Sequence, residues 1–276
     1  MTVDEKNGNI ILNNVEDFDL QATLDSGQCF RYFLSDGKYT VMSRDRRAVV
    51  SQNGKTVTFY RMTFDEWGGF WRNYFDLDRD YGTIRAELSR DPILKKAAEF
   101  APGIRILNQD PFETLINFII SQNNNIPRIK GIVERLCENF GTPAGFGYAY
   151  PRPEKLASLD REDFAPLRAG FRDKYILDAA RKVASGEVAP ENISGLTTEE
   201  AEYELMKIKG VGKKVAQCVL LFGFHRLDAF PVDVWIKRAL EALYPDGTNI
   251  TDSPYAGIAQ QYIFYYARSC PELFKD

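Results

Sequence analysis

The chain has 276 residues, of which 44% are hydrophobic and 27% are charged, and its formal net charge is −4. No apolar stretch is long enough to cross a membrane and no secretory signal opens the sequence, so we expect a globular protein without a membrane partner. The four cysteines lie far apart and a single histidine, His225, is present. These counts exclude a CxxC-type zinc or cluster-binding loop, a multi-histidine metal site and a histidine-based catalytic triad.

Residues 1 to about 75 have the pattern of antiparallel strands. The segments 30–33 and 39–42 flank the turn Ser35-Asp36-Gly37-Lys38, and the segments 47–52 and 56–60 flank Asn53-Gly54. Asn-Gly between two apolar runs is the strongest short signal for a hairpin. The sequence therefore predicts an antiparallel sheet with one polar face.

From about residue 76 the apolar residues recur at helical spacing, as in the segments 112–119 and 129–140. A period of 3.6 residues is typical of helices that bury one face. We predict an α+β fold, with an N-terminal antiparallel β domain and connecting helices over residues 1–100. A helical region follows over residues 101–276, with the active site in a cleft between helical lobes.

Two turns interrupt the predicted helices. In residues 121–128 three asparagines precede Pro127, which is typical of a helix that stops, turns and restarts. In residues 169–175, Phe171 and Arg172 lie just before the next helical pattern. A helix entry with solvated charges is the simplest interpretation of that second turn.

Residues 203–222 predict two helices joined by the tight turn Gly210-Val211-Gly212. Thr197 and Glu200 fit a capping box at the start of the first helix. The glycines permit φ > 0, and the free amides at the start of the second helix would suit a phosphate. A plain αα-hairpin with a glycine C-cap is the alternative.

Lys214 lies in the first turn of the second predicted helix, and Asp233 follows Pro231 at the start of the next. The field at a helix N-terminus and any burial favour the uncharged amine, which is a nucleophile. Asp233 suits an N-cap, and a carboxylate fixed there would also stabilise a developing cation. Two exposed lysines beside DNA phosphates, Lys213 and Lys214, are the ordinary alternative.

The hairpin, Lys214 and Asp233 together resemble the helix–hairpin–helix, Gly/Pro-rich loop and aspartate (HhH-GPD) superfamily of DNA repair glycosylases. The lysine is that of the bifunctional members, and the similarity to 8-oxoguanine DNA glycosylases covers residues from about 11 to 274 in five separate segments. The resemblance implies removal of 8-oxoguanine from double-stranded DNA, preferably opposite cytosine. Lys214 would form a Schiff base that leads to strand cleavage by β-elimination, and Asp233 would stabilise the positive charge.

The resemblance also implies a base pocket. The carbonyl of Gly27, in the stretch Ser26-Gly27-Gln28, would accept a hydrogen bond from the N7–H that the oxidised base has and guanine lacks. Cys218 and Phe264 would form opposite walls. Gln260 would bind the Watson–Crick edge.

Further residues are implied at the gap that the everted nucleotide leaves. Asn123 would fill that gap, and Arg128 and Arg172 would contact the estranged cytosine. Phe171 would be the wedge into the duplex, where the usual residue is tyrosine. Gly210, Val211 and Gly212 would bind the DNA phosphate, with a structural cation held there in relatives.

One position departs from the family pattern: Trp235 stands where eukaryotic-type enzymes have a histidine that is thought to hold a phosphate. The resemblance implies no cofactor and no catalytic metal, and nothing indicates an oligomer, so we expect a monomer. We expect a cytoplasmic, nucleoid-associated protein in a bacterium or archaeon, and a nuclear one in a eukaryote.

Three kinds of alternative remain open from the sequence: a glycosylase for another lesion, a non-catalytic DNA-binding protein and a scaffold for protein partners. A glycosylase for an oxidised pyrimidine usually has a four-cysteine cluster, and one for an alkylated purine usually lacks the lysine. A non-catalytic helix–hairpin–helix DNA-binding protein would not need Lys214 with Asp233. A helical scaffold for protein partners explains none of the motifs. The net charge of −4 argues mildly against DNA, but basic residues lie beside the motifs.

Overall fold

The computed structural model describes residues 1–274 and begins with a six-stranded antiparallel sheet in the order β1-β2-β6-β5-β4-β3. Both predicted hairpins are confirmed, because Ser35 pairs with Lys38 and Asn53 pairs with Thr56 across the turns. The strands are β1 (Thr2–Lys6), β2 (Asn9–Asn13), β3 (Tyr32–Ser35), β4 (Lys38–Ser43), β5 (Arg46–Asn53) and β6 (Thr56–Tyr60).

The prediction of strands up to about residue 75 is wrong in two places. Helix α1 (Leu20–Asp25) lies between β2 and β3, and the Asp19 side chain caps it by accepting from the amide of Ala22. The segment 64–74 is helical, with α2 (Phe64–Glu66), a π-helical turn (Trp67–Trp71) and α3 (Arg72–Tyr74). A capping box between Thr63 and Glu66 starts this segment, which overrides the strand-like aromatic composition.

The remaining chain is mainly helical, and the α+β class is confirmed. A short two-stranded ladder, β7 (Pro143–Ala144) and β8 (Gly147–Tyr148), interrupts it. Among residues 1–274, no helix combines the length and the apolar character that crossing a bilayer requires. The helices are α4 (Tyr81–Leu88), α5 (Pro92–Phe100), α6 (Pro111–Ser121), α7 (Ile126–Phe140), α8 (Pro153–Ala157), α9 (Asp173–Ala184), α10 (Pro190–Ile193), α11 (Thr198–Met206), α12 (Lys213–Gly223), α13 (Val234–Leu243) and α14 (Ala256–Ser269).

Two apolar cores hold the chain together. The first lies between the sheet and the segment 64–77, and the second joins α4 to α14 with Ala22 and Phe30. Within the second core, α6 packs against α12 and α13 packs against α14. The predicted division of the chain near residue 100 stays a prediction, and residues 275 and 276 of its helical part lie outside the described residues.

A buried ion pair joins the N-terminal sheet region to the helical region. Arg31 precedes β3 and lies 3.5 Å from Glu113 of α6, and both side chains are almost fully buried. Arg31 also donates to the carbonyls of Arg44 and Tyr148, while the Arg44 amide donates to Glu113. These contacts hold the segment that ends at Arg31 next to α6. Removing either partner of the ion pair would leave a buried charge without its counter-ion, which is strongly destabilising.

Candidate active site

A cavity of about 380 Å³ opens where the segment 26–30, the α6–α7 turn, α12, the loop before α13 and α14 meet. This volume lies within the usual range of small-ligand pockets. All six residues that were predicted to act on the base or the sugar line the cavity: Gly27, Lys214, Cys218, Asp233, Gln260 and Phe264.

Lys214 is the second residue of α12 and is partly buried. Its Nζ atom lies 5.3 Å from the centroid of the Phe118 ring. Phe118 stacks on Phe222 with centroids 5.4 Å apart, and Phe30 meets Phe118 edge-on at 5.8 Å. The amine therefore lies against an aromatic floor at the N-terminal end of α12.

Asp233 is the N-cap of α13, as predicted, and its Oδ1 atom accepts from the amide of Ile236 at 2.8 Å. The cap fixes the carboxylate at the mouth of the cavity. Its Oδ2 atom accepts no hydrogen bond from any residue in the range 1–274. One oxygen thus holds the side chain in place, while the other is available to a ligand.

Cys218 lies one turn after Lys214 on the same helix face and is buried. Burial raises the pKa of the Cys218 thiol to about 11, with Lys214 opposing the shift and Asp233 adding to it. The thiol is therefore neutral at pH 7, and its pKa depends on both the Lys214 amine and the Asp233 carboxylate. A neutral, polarizable sulfur suits a wall against a flat base better than it suits a nucleophile.

Gly27 has φ +79°, and a Cβ atom built there would lie 3.3 Å from Cε1 of Phe264. Glycine therefore suits both the positive φ and the close approach of the ring. On the facing helix, Gln260 is buried and its Nε2 atom donates to the carbonyl of Pro231 at 3.0 Å. The cavity thus brings a tight backbone turn, an aromatic ring and an amide together.

The predicted wedge and cytosine-contacting residues form a second group outside the cavity lining. Asn123, with φ +48°, and Arg128 are exposed on and just after the α6–α7 turn. Phe171 is 48% exposed, and the Cζ atom of Arg172 lies 4.4 Å from the centroid of its ring. The structure therefore gathers these four residues into one group, which we call the loop cluster.

Arg172 differs from the rest of the loop cluster because it is 2% exposed. Its guanidinium donates to the carbonyls of Gln122 and Asn123 and, at 3.0 Å, to that of Ala169. Burial, and after it the neighbouring Arg128, lower the pKa of Arg172. In this conformation Arg172 ties the two turns together, and its donors do not point to solvent.

The hairpin turn also differs in detail from its prediction. Gly210 has φ +81°, and a Cβ atom there would lie 2.5 Å from the Tyr175 ring. Gly212, by contrast, has φ −100°, so only Gly210 of the two glycines uses the positive φ that both permit. Val211 is buried and its amide donates to the carbonyl of Ile208 at 3.0 Å. Among residues 1–274 the amides of Gly212 and the first turn of α12 have no backbone acceptor, because the amide of Ala216 is the first to bond back, to the carbonyl of Gly212.

Family models match both parts of the chain. The N-terminal domain of 8-oxoguanine DNA glycosylase matches residues 10–115, and the HhH-GPD superfamily of base excision DNA repair proteins matches residues 116–261. The chain belongs to the HhH-GPD superfamily. The predicted resemblance is confirmed.

Solved structures of similar proteins cover nearly the whole chain. One is MBOgg1 in complex with a low-affinity DNA ligand, at 44% identity and a TM-score of 0.93 over 98% of this chain and 99% of that one. Another is the 8-oxoguanine glycosylase/lyase of Clostridium acetobutylicum with double-stranded DNA containing cytosine opposite to 8-oxoG, at 42% identity and a TM-score of 0.92 over the same shares.

A curated relative is longer. The N-glycosylase/DNA lyase of Saccharomyces cerevisiae is 42% identical over 176 residues, which are 57% of this chain and 46% of that protein. The match therefore spans about half the length of the yeast relative.

Sequence reasoning missed several residues of this HhH-GPD cavity. Phe118 and Phe222 were assigned no role because helical periodicity marks them only as core. Gln261 and Arg268 on α14 also line the cavity, and Arg268 lies one turn after Phe264 with its Cζ atom 5.8 Å from the ring centroid. That i, i+4 spacing was the available signal. Trp235, noted as a departure, lines the cavity as well.

Proposed function

We propose that the chain is a bifunctional DNA glycosylase that removes 8-oxoguanine from double-stranded DNA, preferably opposite cytosine, and then cleaves the strand. One observation carries the proposal: the amine of Lys214 and the capped carboxylate of Asp233 line the same cavity, whose floor is aromatic. A nucleophile and an anion beside an apolar surface suit attack on a sugar that bears a flat leaving group.

In the proposed reaction, Nζ of Lys214 attacks C1′ of the everted nucleotide. The bond between C1′ and N9 breaks, and its electron pair leaves with the base. Asp233 stabilises the positive charge on the sugar through its free oxygen. Opening of the sugar ring gives a Schiff base on Lys214, and loss of a proton from C2′ then breaks the C3′–O bond on the 3′ side of the lesion.

The cavity residues support recognition of an oxidised purine. The nucleotide must leave the stack, at a cost of a few kcal/mol. The base would then lie between Cys218 and Phe264, with its N7–H donating to the carbonyl of Gly27. Guanine has no hydrogen on N7, so this carbonyl would stay unpaired, which disfavours guanine by about 1–3 kcal/mol.

The loop cluster supports contact with the opposite strand. An exposed apolar ring can take the place of an extruded nucleotide and open the stack, as Phe171 would do. Arg128 is the exposed guanidinium that suits the acceptors of an estranged cytosine. The Clostridium acetobutylicum protein forms a complex with a duplex that has cytosine opposite to 8-oxoG, so cytosine is the opposite base to test first.

A lesion panel under single-turnover conditions tests the proposal. We expect the fastest base release from a duplex with 8-oxoguanine opposite cytosine, slower release opposite the other three bases, and none from undamaged guanine. Duplexes with an oxidised pyrimidine or an alkylated purine test the alternative substrates. Binding without release from any duplex would contradict the proposal and favour a non-catalytic DNA-binding protein.

A further inference from the structure

Helix α9 carries three side chains on one face that all contact the loop between α11 and α12. They are Tyr175, Asp178 and Lys182, at positions i, i+3 and i+7 of the helix. The Oδ2 atom of Asp178 accepts from the amide of Lys209 at 2.8 Å. The Nζ atom of Lys182 donates to the carbonyl of Lys207 at 2.7 Å. The loop that leads into the hairpin turn is therefore bound to α9 through its own backbone groups.

Tyr175 makes the third contact with the face of its ring. A Cβ atom built at Gly210 would lie 2.5 Å from Cγ of Tyr175 and 2.6 and 2.7 Å from the two Cδ atoms. These three atoms are adjacent in the ring, so the Cα atom of Gly210 lies over the ring face. Within residues 1–274 the amides that follow, at Gly212 and the first turn of α12, have no backbone acceptor. The ring therefore supports the turn whose amides suit a phosphate.

The same ring also meets the predicted wedge. The ring centroids of Phe171 and Tyr175 are 6.1 Å apart, and the ring planes are inclined at 76°. Edge-to-face packing of this kind is a favoured geometry for aromatic pairs. Phe171 lies two residues before α9 begins, and Tyr175 lies in the first turn of that helix. One half-buried ring thus contacts the hairpin and the wedge, and it is not among the residues that line the cavity.

We propose that Tyr175 is a positioning residue that sets the wedge Phe171 relative to the phosphate-binding end of the hairpin. A phosphate bound at the first amides of α12 would fix, through Gly210 and Tyr175, the place where the exposed ring of Phe171 enters the duplex. Fixed placement matters because a small displacement of a group that acts on the substrate lowers the rate. This inference rests on the proposed function, and it gives Tyr175 no contact with the base or the sugar.

Tyr175→Leu tests the inference, because leucine keeps apolar bulk and removes the flat ring. With protein in saturating excess, it should slow release of 8-oxoguanine opposite cytosine by roughly two- to tenfold, the factor that an aromatic pair is worth. Nicking of a duplex that already contains an abasic site should slow less, since no base has to leave the stack there. A merely structural effect would slow both reactions equally. Tyr175→Phe keeps both ring contacts and should match the parent in both reactions.

A double-variant cycle with Phe171→Ala separates a link between the two rings from two independent effects. If Tyr175 acts through the wedge, Tyr175→Leu should slow base release little further in a protein that already carries Phe171→Ala, because effects of residues in contact do not add. Asp178→Ala is the matched control, since it removes a contact with the same loop and leaves both aromatic contacts. It should weaken binding of any duplex without changing the ratio of base release to nicking.

Four results would overturn the inference: an unchanged or equally slowed pair of reactions in Tyr175→Leu, additive slowing in the double variant, the same change of ratio in Asp178→Ala, or a Tyr175→Phe protein as slow as Tyr175→Leu. A parent protein that releases no 8-oxoguanine would instead contradict the proposed function. Tyr175→Leu should fold, because leucine is a stronger helix former than tyrosine and the position is only half-buried. Thermal melting of each variant checks this.

Discussion

The cavity and the loop cluster hold their polar side chains in different ways. In the cavity, Asp233 uses one oxygen for a helix cap, and its other oxygen accepts no hydrogen bond from residues 1–274. In the loop cluster, Arg172 directs its guanidinium to carbonyls of its own chain. The cavity is therefore preorganised for a ligand, while the buried arginine of the loop cluster is satisfied before any ligand arrives.

This difference assigns different tasks to the two regions. Free groups at fixed places can act on a ligand without reorganisation, which is what catalysis requires. Arg172 would have to release carbonyls before it could contact a base, whereas Arg128 is already exposed. We therefore expect substitutions in the cavity to change rates, and a substitution of Arg172 to change stability first.

The largest expected effect short of removing the nucleophile is that of Asp233→Asn. Asparagine is an equally good N-cap, so the melting temperature should change little. Loss of the charge should slow base release by about 10²- to 10⁴-fold, because a fixed anion no longer stabilises the cationic sugar. Single-turnover kinetics measure the rate of base release, and thermal melting measures the stability. A rate within threefold of the parent would contradict the electrostatic role.

The pair Arg172→Ala and Arg128→Ala tests the contrast within the loop cluster. Arg172→Ala should lower the free energy of unfolding by about 2–3 kcal/mol, since hydrogen bonds to a charged group contribute about 1.5–3 kcal/mol and the carbonyls lose their donor. Arg128→Ala should change it by less than about 0.5 kcal/mol, as is usual at exposed positions.

The same two variants report on the opposite base. Arg128→Ala should reduce the preference for cytosine across a panel of four opposite bases. Urea denaturation gives the stabilities, and base release from the four duplexes gives the preference. Equal stability losses in the two variants would contradict the structural role of Arg172. An unchanged preference in Arg128→Ala would contradict its cytosine contact.

Phe171 provides a smaller test of the wedge. Phe171→Ala should slow base release several-fold and lower the free energy of unfolding by no more than about 1 kcal/mol, because the ring is 48% exposed and loses mainly its contact with Arg172. Phe171→Leu is the matched control, since it keeps an apolar wedge and removes the aromatic ring. Rates in Phe171→Leu that lie between those of the parent and Phe171→Ala would support an apolar wedge. Identical rates in all three proteins would contradict it.

The smallest expected effect is on the pH dependence of stability, and it comes from His225, which belongs to neither the cavity nor the loop cluster. His225 lies 3.4 Å from Asp76, and burial lowers its pKa below the ordinary 6.5 despite the opposing effect of that carboxylate. Below pH 6.5 the unfolded chain therefore binds a proton that the folded chain does not. Stability from this group is present above pH 6.5 and is lost as the pH falls below it.

His225→Asn is the variant for this test, because asparagine tolerates the left-handed backbone of φ +54°. Melting temperatures at pH 7.5 and pH 5.5 should differ less in the variant than in the parent. A parent that is as stable at pH 5.5 as at pH 7.5 would contradict the shift.

Local signals predicted much of this molecule. The capping box of Thr197 and Glu200, the cap at Asp233 and the turn at Gly210 each depend on a few adjacent residues, and the structure has them as predicted. The six cavity residues came from a resemblance in separate segments, and they meet in one cavity. Their roles stay predictions.

The contacts that the sequence did not reveal are those between distant segments. Arg172 meets the carbonyl of Gln122 across fifty positions, and no local pattern indicates such a contact. Periodicity likewise indicated that the segment 112–119 buries one face, but not which of its residues face a cavity. The helical segment 64–74 was missed because its aromatic residues favour strands, although its capping box was readable.

The most direct test of the central claim, an amine of Lys214 that attacks the sugar, is borohydride trapping on a duplex with 8-oxoguanine opposite cytosine. The parent protein should give a covalent protein–DNA adduct, and Lys214→Gln should give none while it still binds the duplex. Lys213→Gln is the matched control, because Lys213 is exposed and lies beside Glu202, and it should trap as the parent does. An adduct of undiminished yield in Lys214→Gln would contradict the account.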